Sequence, residues 1–131
     1  MSELADLAVY LAQAGHGKVA GLEKTIFANF MPAAARKGVL VRQDYLGIQY
    51  VPELPGYFKT SFQIIVRNPD YVEGETLAKN VSVTLNQERV VIGSMQMLYI
   101  RPRHKPIVYP ASQGDLLEFS VSFDACYLIA S

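Results

Sequence analysis

The stretch Tyr57 to Asn86, YFKTSFQIIVRNPDYVEGETLAKNVSVTLN, sets the terms on which the rest of the chain can fold. It opens in strict alternation. Phe58, Thr60, Phe62, Ile64 and Val66 fall on one face and Lys59, Ser61, Gln63, Ile65 and Arg67 on the other, the pattern of a half-buried strand. At Asn68-Pro69 the period changes. Asp70 stands where an N-cap is expected, and Glu73 follows at capping-box spacing. Tyr71, Gly74, Ala78, Val81 and Leu85 then make one helical stripe, with Leu77 beside it. Val81, Val83 and Leu85 also alternate, so the segment 81–86 has strand character, but the cap and the length of the stripe favour helix. A strand followed by such a helix requires a sheet for the helix to cover.

The flanking segments supply that sheet. Ser2 is a candidate N-cap, and Leu4, Leu7, Ala8 and Leu11 predict a helix over 3–14 ending at Gly15. Gly15-His16-Gly17-Lys18 lacks the spacing and the Ser or Thr of a phosphate loop and reads as a helix-ending turn. Thr25 to Met31 and Gly38 to Asp44 read as two short strands, close enough to pair as antiparallel neighbours. Tyr45 to Gly56 is a long connection carrying Tyr45, Ile48, Tyr50, Val51 and Leu54. It either folds back on its own domain or reaches a neighbouring subunit as an arm. Past the helix, Gly93 marks a tight link before a strand over 94–101. RPRHKPIVYP (101–110) holds three prolines and is excluded from a central strand. Leu116 to Leu128 alternates cleanly as the last strand, expected to pair with 94–101. The predicted fold is α+β: one antiparallel or mixed β-sheet in a single domain over 1–131, with an N-terminal helix and a central helix packed on one face.

Composition excludes several functions. Twelve basic and twelve acidic residues cancel, which argues against a protein whose main work is wrapping free nucleic acid. Half the residues are hydrophobic and 18% are charged, so the chain can bury a core with apolar surface to spare for partners. No signal-like start or membrane-length apolar run is present, and the reading is a soluble, unprocessed protein without a membrane partner. The single cysteine, Cys126, allows no intrachain disulfide and reads as a small packed thiol. His16 and His104 have no neighbours at metal-ligand spacing, and no catalytic motif or cofactor signature occurs. The expectation is no enzyme, no cofactor and no metal. The one charge feature is Arg101-Pro-Arg-His-Lys105, where Arg101, Arg103, His104 and Lys105 sit in a proline-stiffened loop between Tyr99 and Tyr109. It is either a solvated hairpin tip or a contact to an acidic partner or to DNA phosphates.

FKTSFQIIVRN, DYVEGETLAKNVSVTLN and LLEFSVSFDACY, preceded by a helix and TIFANFMP, resemble the tail-terminator (tail-completion, minor capsid) proteins of long-tailed bacteriophages. The resemblance covers most of the chain. It implies a structural virion protein that forms a hexameric ring on the tail tube, stops its polymerisation and docks the head's neck connector. DNA would pass through the ring, and assembly would take place in the host cytoplasm. It transfers no active-site residues. On this reading Tyr45, Ile48, Tyr50, Val51 and Leu54 are the candidate inter-subunit arm. Arg101, Arg103, His104 and Lys105 are candidates for the lumen or a partner contact. A stopper or adaptor ring between portal and tail is the nearest alternative. A small α+β enzyme or ligand-binding domain is the alternative from another class, and it would require a deep polar pocket around His16 or His104.

Overall fold

The computed structural model describes residues 3–19, 25–32, 35–43, 53–54, 56–110 and 116–129. Its elements run α1 (Glu3–Gln13), β1 (Ile26–Ala28), β2 (Gly38–Gln43), β3 (Tyr57–Asn68), α2 (Tyr71–Thr84), β4 (Gln87–Ile92), β5 (Met95–Pro102), β6 (Ile107–Pro110) and β7 (Leu117–Ile129). The strands form one mixed, seven-stranded sheet in the order β1-β2-β3-β7-β5-β4, with β6 also paired to β7. This is the expected α+β architecture.

The two longest strands make its centre. β3 and β7 pair antiparallel from Tyr57↔Leu128 to Asn68↔Leu117. Their matched alternation puts Phe62, Ile64 and Val66 beside Phe119, Val121 and Phe123 on one face. Both helices lie on that face: Leu4, Leu7 and Leu11 of α1 and Ala78 and Val81 of α2 join the same buried cluster. Gly74 lets α2 sit down on the sheet, since a Cβ there would stand 2.3 Å from the Phe119 ring. Asp6, on the buried side of α1, accepts hydrogen bonds from the Ser94 amide (3.2 Å) and hydroxyl (3.0 Å), tying α1 to the β4–β5 turn.

Asp70 caps α2 as expected, its carboxylate accepting from the Val72 amide at 3.1 Å. The expected return contact from Glu73 does not form. Asn68 Oδ1 takes the Asp70 amide at 2.8 Å. Glu73 instead meets Lys37 Nζ at 3.1 Å, and that hydrogen bond holds its carboxyl below the ordinary range. The helix continues to Thr84, so the alternation at 81–85 does not become a strand. Val81 and Leu85 are buried while Val83 is 72% exposed, which is helical spacing.

Two expectations are corrected. First, β1 and β2 pair parallel, with Ile26 opposite Val39, not antiparallel. β1 is only three residues long. The nine or so residues between the strands reach about 30 Å when extended, enough to return the chain to the end where β1 began. Asn29, at φ 72°, starts the return. Arg67 fastens it, donating to the Pro32 and Ala35 carbonyls at 2.9 and 3.0 Å and to Glu118 at 3.1 Å. Second, Gln87–Ile92 is a strand, not a link. Gly93, at φ 58°, and Ser94 form the two-residue turn of a β4–β5 hairpin that Ile92↔Met95 closes.

Candidate functional site

The described helices cover one face of the sheet. On the other, the odd-numbered residues of β3 meet the even-numbered residues of β7, so Lys59, Ser61 and Gln63 stand beside Cys126, Asp124 and Ser122. β5 adds Tyr99 and Arg101 to the same face. Lys59, Thr60, Ser61, Tyr99, Arg101 and Asp124 line an open groove of about 490 Å³ there. Cys126 is buried, and its thiol donates to the Tyr57 hydroxyl at 3.1 Å. The thiol is a packed group, as expected.

The cationic segment 101–105 does not act as one patch. Arg101 lies over the Tyr99 ring, 4.2 Å from its centroid, in a cation–π contact at the groove. Arg103 turns to Asp124 at 2.7 Å and also reaches the Ser61 hydroxyl. Its hydrogen bond keeps the Asp124 carboxyl below the usual range. His104 is pinned by two backbone groups: Nδ1 meets the Lys105 carbonyl at 2.7 Å, and Nε2 faces the Ser122 amide at 3.3 Å. A carbonyl on one nitrogen and an N–H on the other require the proton on Nδ1. Lys105 is exposed.

The reason lies in β7. Its outer edge pairs with β5 up to Pro102↔Phe123 and with β6 from Ile107↔Ser120. Between them Ser122 is without a strand partner on that side. The Arg103 amide donates to its carbonyl at 2.8 Å, and His104 takes its N–H. The connection from β5 to β6 is thus stitched into the ladder at the changeover, and this role for Arg103 and His104 was not visible in the sequence. The signal available was only their position between two prolines.

On the helix side, Lys79, Ser82 and Val83 of α2 face Pro102 to Pro106 across a second groove of about 480 Å³. Lys79 belongs to α2, more than twenty residues before the charged segment, and sequence spacing did not join them. Of the expected arm, Tyr45, Ile48, Tyr50 and Val51 lie outside the described residues. Leu54 is 52% exposed. Its carbonyl accepts from the Tyr57 amide at 3.0 Å, and the Gly56 carbonyl accepts from Ile129 at 2.7 Å, so the foot of the segment is fixed to the end of β7.

Among the described residues no group of His, Cys, Asp or Glu is arranged to hold a metal ion, and no helix is long and apolar enough to cross a membrane. His16 bonds Thr84 Oγ1 at 2.6 Å, joining the turn after α1 to the end of α2. Burial lowers its pKa from 6.5. No described carboxylate is hydrogen-bonded to it.

No curated protein sequence matches the chain. Among solved structures, the chain is similar to a component of the virion of a native gene transfer agent particle. The TM-score is 0.62 at 16% identity, over 92% of this chain and 85% of that one, a likeness of fold. Residues 10–129 match the family described as bacteriophage tail terminator protein. That match runs from within α1 to the last residue of β7, and the chain therefore belongs to the bacteriophage tail terminator family, structural components of the phage tail in the virion.

Proposed function

We propose that residues 1–131 act as one unit, six copies of which close into a ring on the tail tube. The ring ends tube polymerisation and joins the tail to the connector at the head's neck, and DNA passes through its lumen without sequence readout. Assembly takes place in the host cytoplasm. The observation that carries this reading is the family match across nearly the whole fold. The geometry supports it. The foot of the 45–56 segment and the 101–105 connection occupy different places along β7, and contact between two unlike patches generates rings when the rotation closes. The balanced charge suits a passage in which phosphates slide rather than bind.

On this reading Arg101, with Lys59 near it on the uncovered sheet face, is the candidate for the lumen. Arg103 and His104 shape the loop, and Lys105 is left for a partner. Tyr45, Ile48, Tyr50, Val51 and Leu54 remain the candidate arm. The test is mass photometry of the purified chain, alone and with tail-tube protein, together with electron microscopy of tube lengths. Closed hexamers that stop tube growth are expected; monomers under every condition overturn the ring. Arg101→Glu should leave the ring intact and lower the yield of infective particles, and a normal yield removes Arg101 from the lumen.

A further inference from the structure

We propose that the groove between α2 and the β5–β6 connection receives the acidic, apolar segment 44–56 of a second copy of this chain. This contact would repeat around the ring, and it rests on the ring reading above.

The groove is built for an occupant. Its floor is apolar, with Val83, Pro102 and Pro106 lining it. Val83 stands 72% exposed, on a helix whose buried side is already filled by Gly74, Ala78 and Val81. The opposite wall is preformed. Two prolines fix φ at its ends, and the Arg103 amide and His104 ring are bonded to Ser122 between them. A wall already held in place loses little conformational freedom when something docks against it. The charges at its rim are the ammonium groups of Lys79 and Lys105; Arg103 and His104 line it as well, but the Arg103 guanidinium is turned to Asp124 and the His104 ring to the backbone. Glu75, the acid paired with Lys79, is not part of the lining.

The segment 44–56, DYLGIQYVPELPG, has the complementary chemistry. It carries Asp44 and Glu53 and no Lys or Arg. Between them lie Leu46, Ile48, Tyr50 and Val51, and Pro52 and Pro55 stiffen it. An apolar stretch bracketed by carboxylates matches an apolar floor with Lys79 and Lys105 at its rim. Its foot is bonded at Gly56 to Ile129, whereas the groove's wall is bonded at Ser122. Seven residues of extended strand separate those anchors by about 23 Å. Donor and acceptor patches are therefore distinct, as a head-to-tail contact requires.

The test uses two cysteine variants of the full chain, Val83→Cys and Leu54→Cys, mixed and treated with a short bis-maleimide. Native Cys126 is 2% exposed, and the unmodified chain controls for it. Cross-linked pairs containing one copy of each variant are expected. Lys105→Glu, an exposed change that leaves the fold's circular dichroism unaltered, should lower their yield by roughly five- to tenfold. Glu53→Lys on the donor copy should restore it. Hexamers by mass photometry without this cross-link overturn the groove contact and leave the ring standing. So does a cross-link formed only within a chain carrying both cysteines, or only to added tail-tube or neck protein. Monomers at every concentration, with tail-tube protein present, overturn the ring and this contact together.

Discussion

Replacing Gly74 by Ala sets two effects of known size against each other. In a helix interior, Gly→Ala is favourable by about 1 kcal/mol, because alanine loses less backbone freedom on folding. Gly74, however, is on the buried side of α2, and the new Cβ would stand 2.3 Å from Phe119 Cε1 and 3.0 Å from Cδ1 and Cζ. Carbon atoms rest at about 3.5–4.0 Å, so ring or helix must shift by more than an ångström. The ring has little room to swing. Phe119 is 1% exposed, and the Tyr71 ring lies 5.7 Å from it. Overpacking costs about 1–3 kcal/mol, and an approach this close to a buried ring belongs at the upper end of that range, above the propensity gain. The net expectation is a destabilisation of up to about 2 kcal/mol, a fall in Tm of up to roughly 8 °C. Urea denaturation of Gly74→Ala, Phe119→Leu and the double variant measures it. The double variant should recover about 1 kcal/mol relative to the sum of the singles, because the smaller side chain makes room for the methyl. If Gly74→Ala proves as stable as the natural chain or more so, the close seating of α2 on Phe119 is not what glycine serves there.

Two further outcomes are expected. Asp6→Ala removes the acceptor for both the Ser94 amide and its hydroxyl, and should lower stability by about 1–3 kcal/mol, seen as a lower urea midpoint at unchanged slope; an unchanged midpoint would detach α1 from the β4–β5 turn. His16 has its pKa lowered from 6.5 by burial, so the folded state prefers the neutral ring. The stability it contributes is present above the unfolded value and is lost as pH falls through the lower folded value. A plot of Tm against pH should therefore slope down more steeply below about pH 6.5 for the natural chain than for His16→Gln, and parallel curves would contradict the burial argument.

The strongest features of the fold were legible because they are local or periodic. β3 and β7 announce themselves by alternation, and α2 by its stripe and by Asp70. What escaped depends on pairing. Nothing in TIFANFM or GVLVRQD carries strand direction, which the return of the chain after Asn29 decides. β4 begins with Gln87, Glu88 and Arg89, at the edge of the sheet where one side has no partner among the described strands, and edge burial does not impose a clear alternation. The Gly93-Ser94 turn signal was present, and it marks a hairpin when read between two apolar runs. Glu73 met the spacing of a capping box, but Asn68 reached the open amide first. At the candidate site the charges of 101–105 were visible, but their directions were not. Tyr99 takes Arg101, Asp124 takes Arg103, and Ser122 takes His104. Two of those three partners lie on another strand, and no spacing rule reveals them.

The position of β7 also bears on how the chain is made. It follows every other strand in chain order, yet it lies at the middle of the sheet between β3 and β5. Its contacts to β3 join residues such as Arg67 and Glu118, 51 apart, and Tyr57 and Cys126, 69 apart. While ribosomes are still supplying that segment, the N-terminal strands and the β4–β5 hairpin can each form, but no strand pairing joins the two halves, which share only side-chain contacts such as that of Asp6 with the β4–β5 turn. Such distant pairing is slow to close and leaves strand edges open in the meantime. A nascent chain of this topology is thus most prone to self-association before β7 is inserted between β3 and β5.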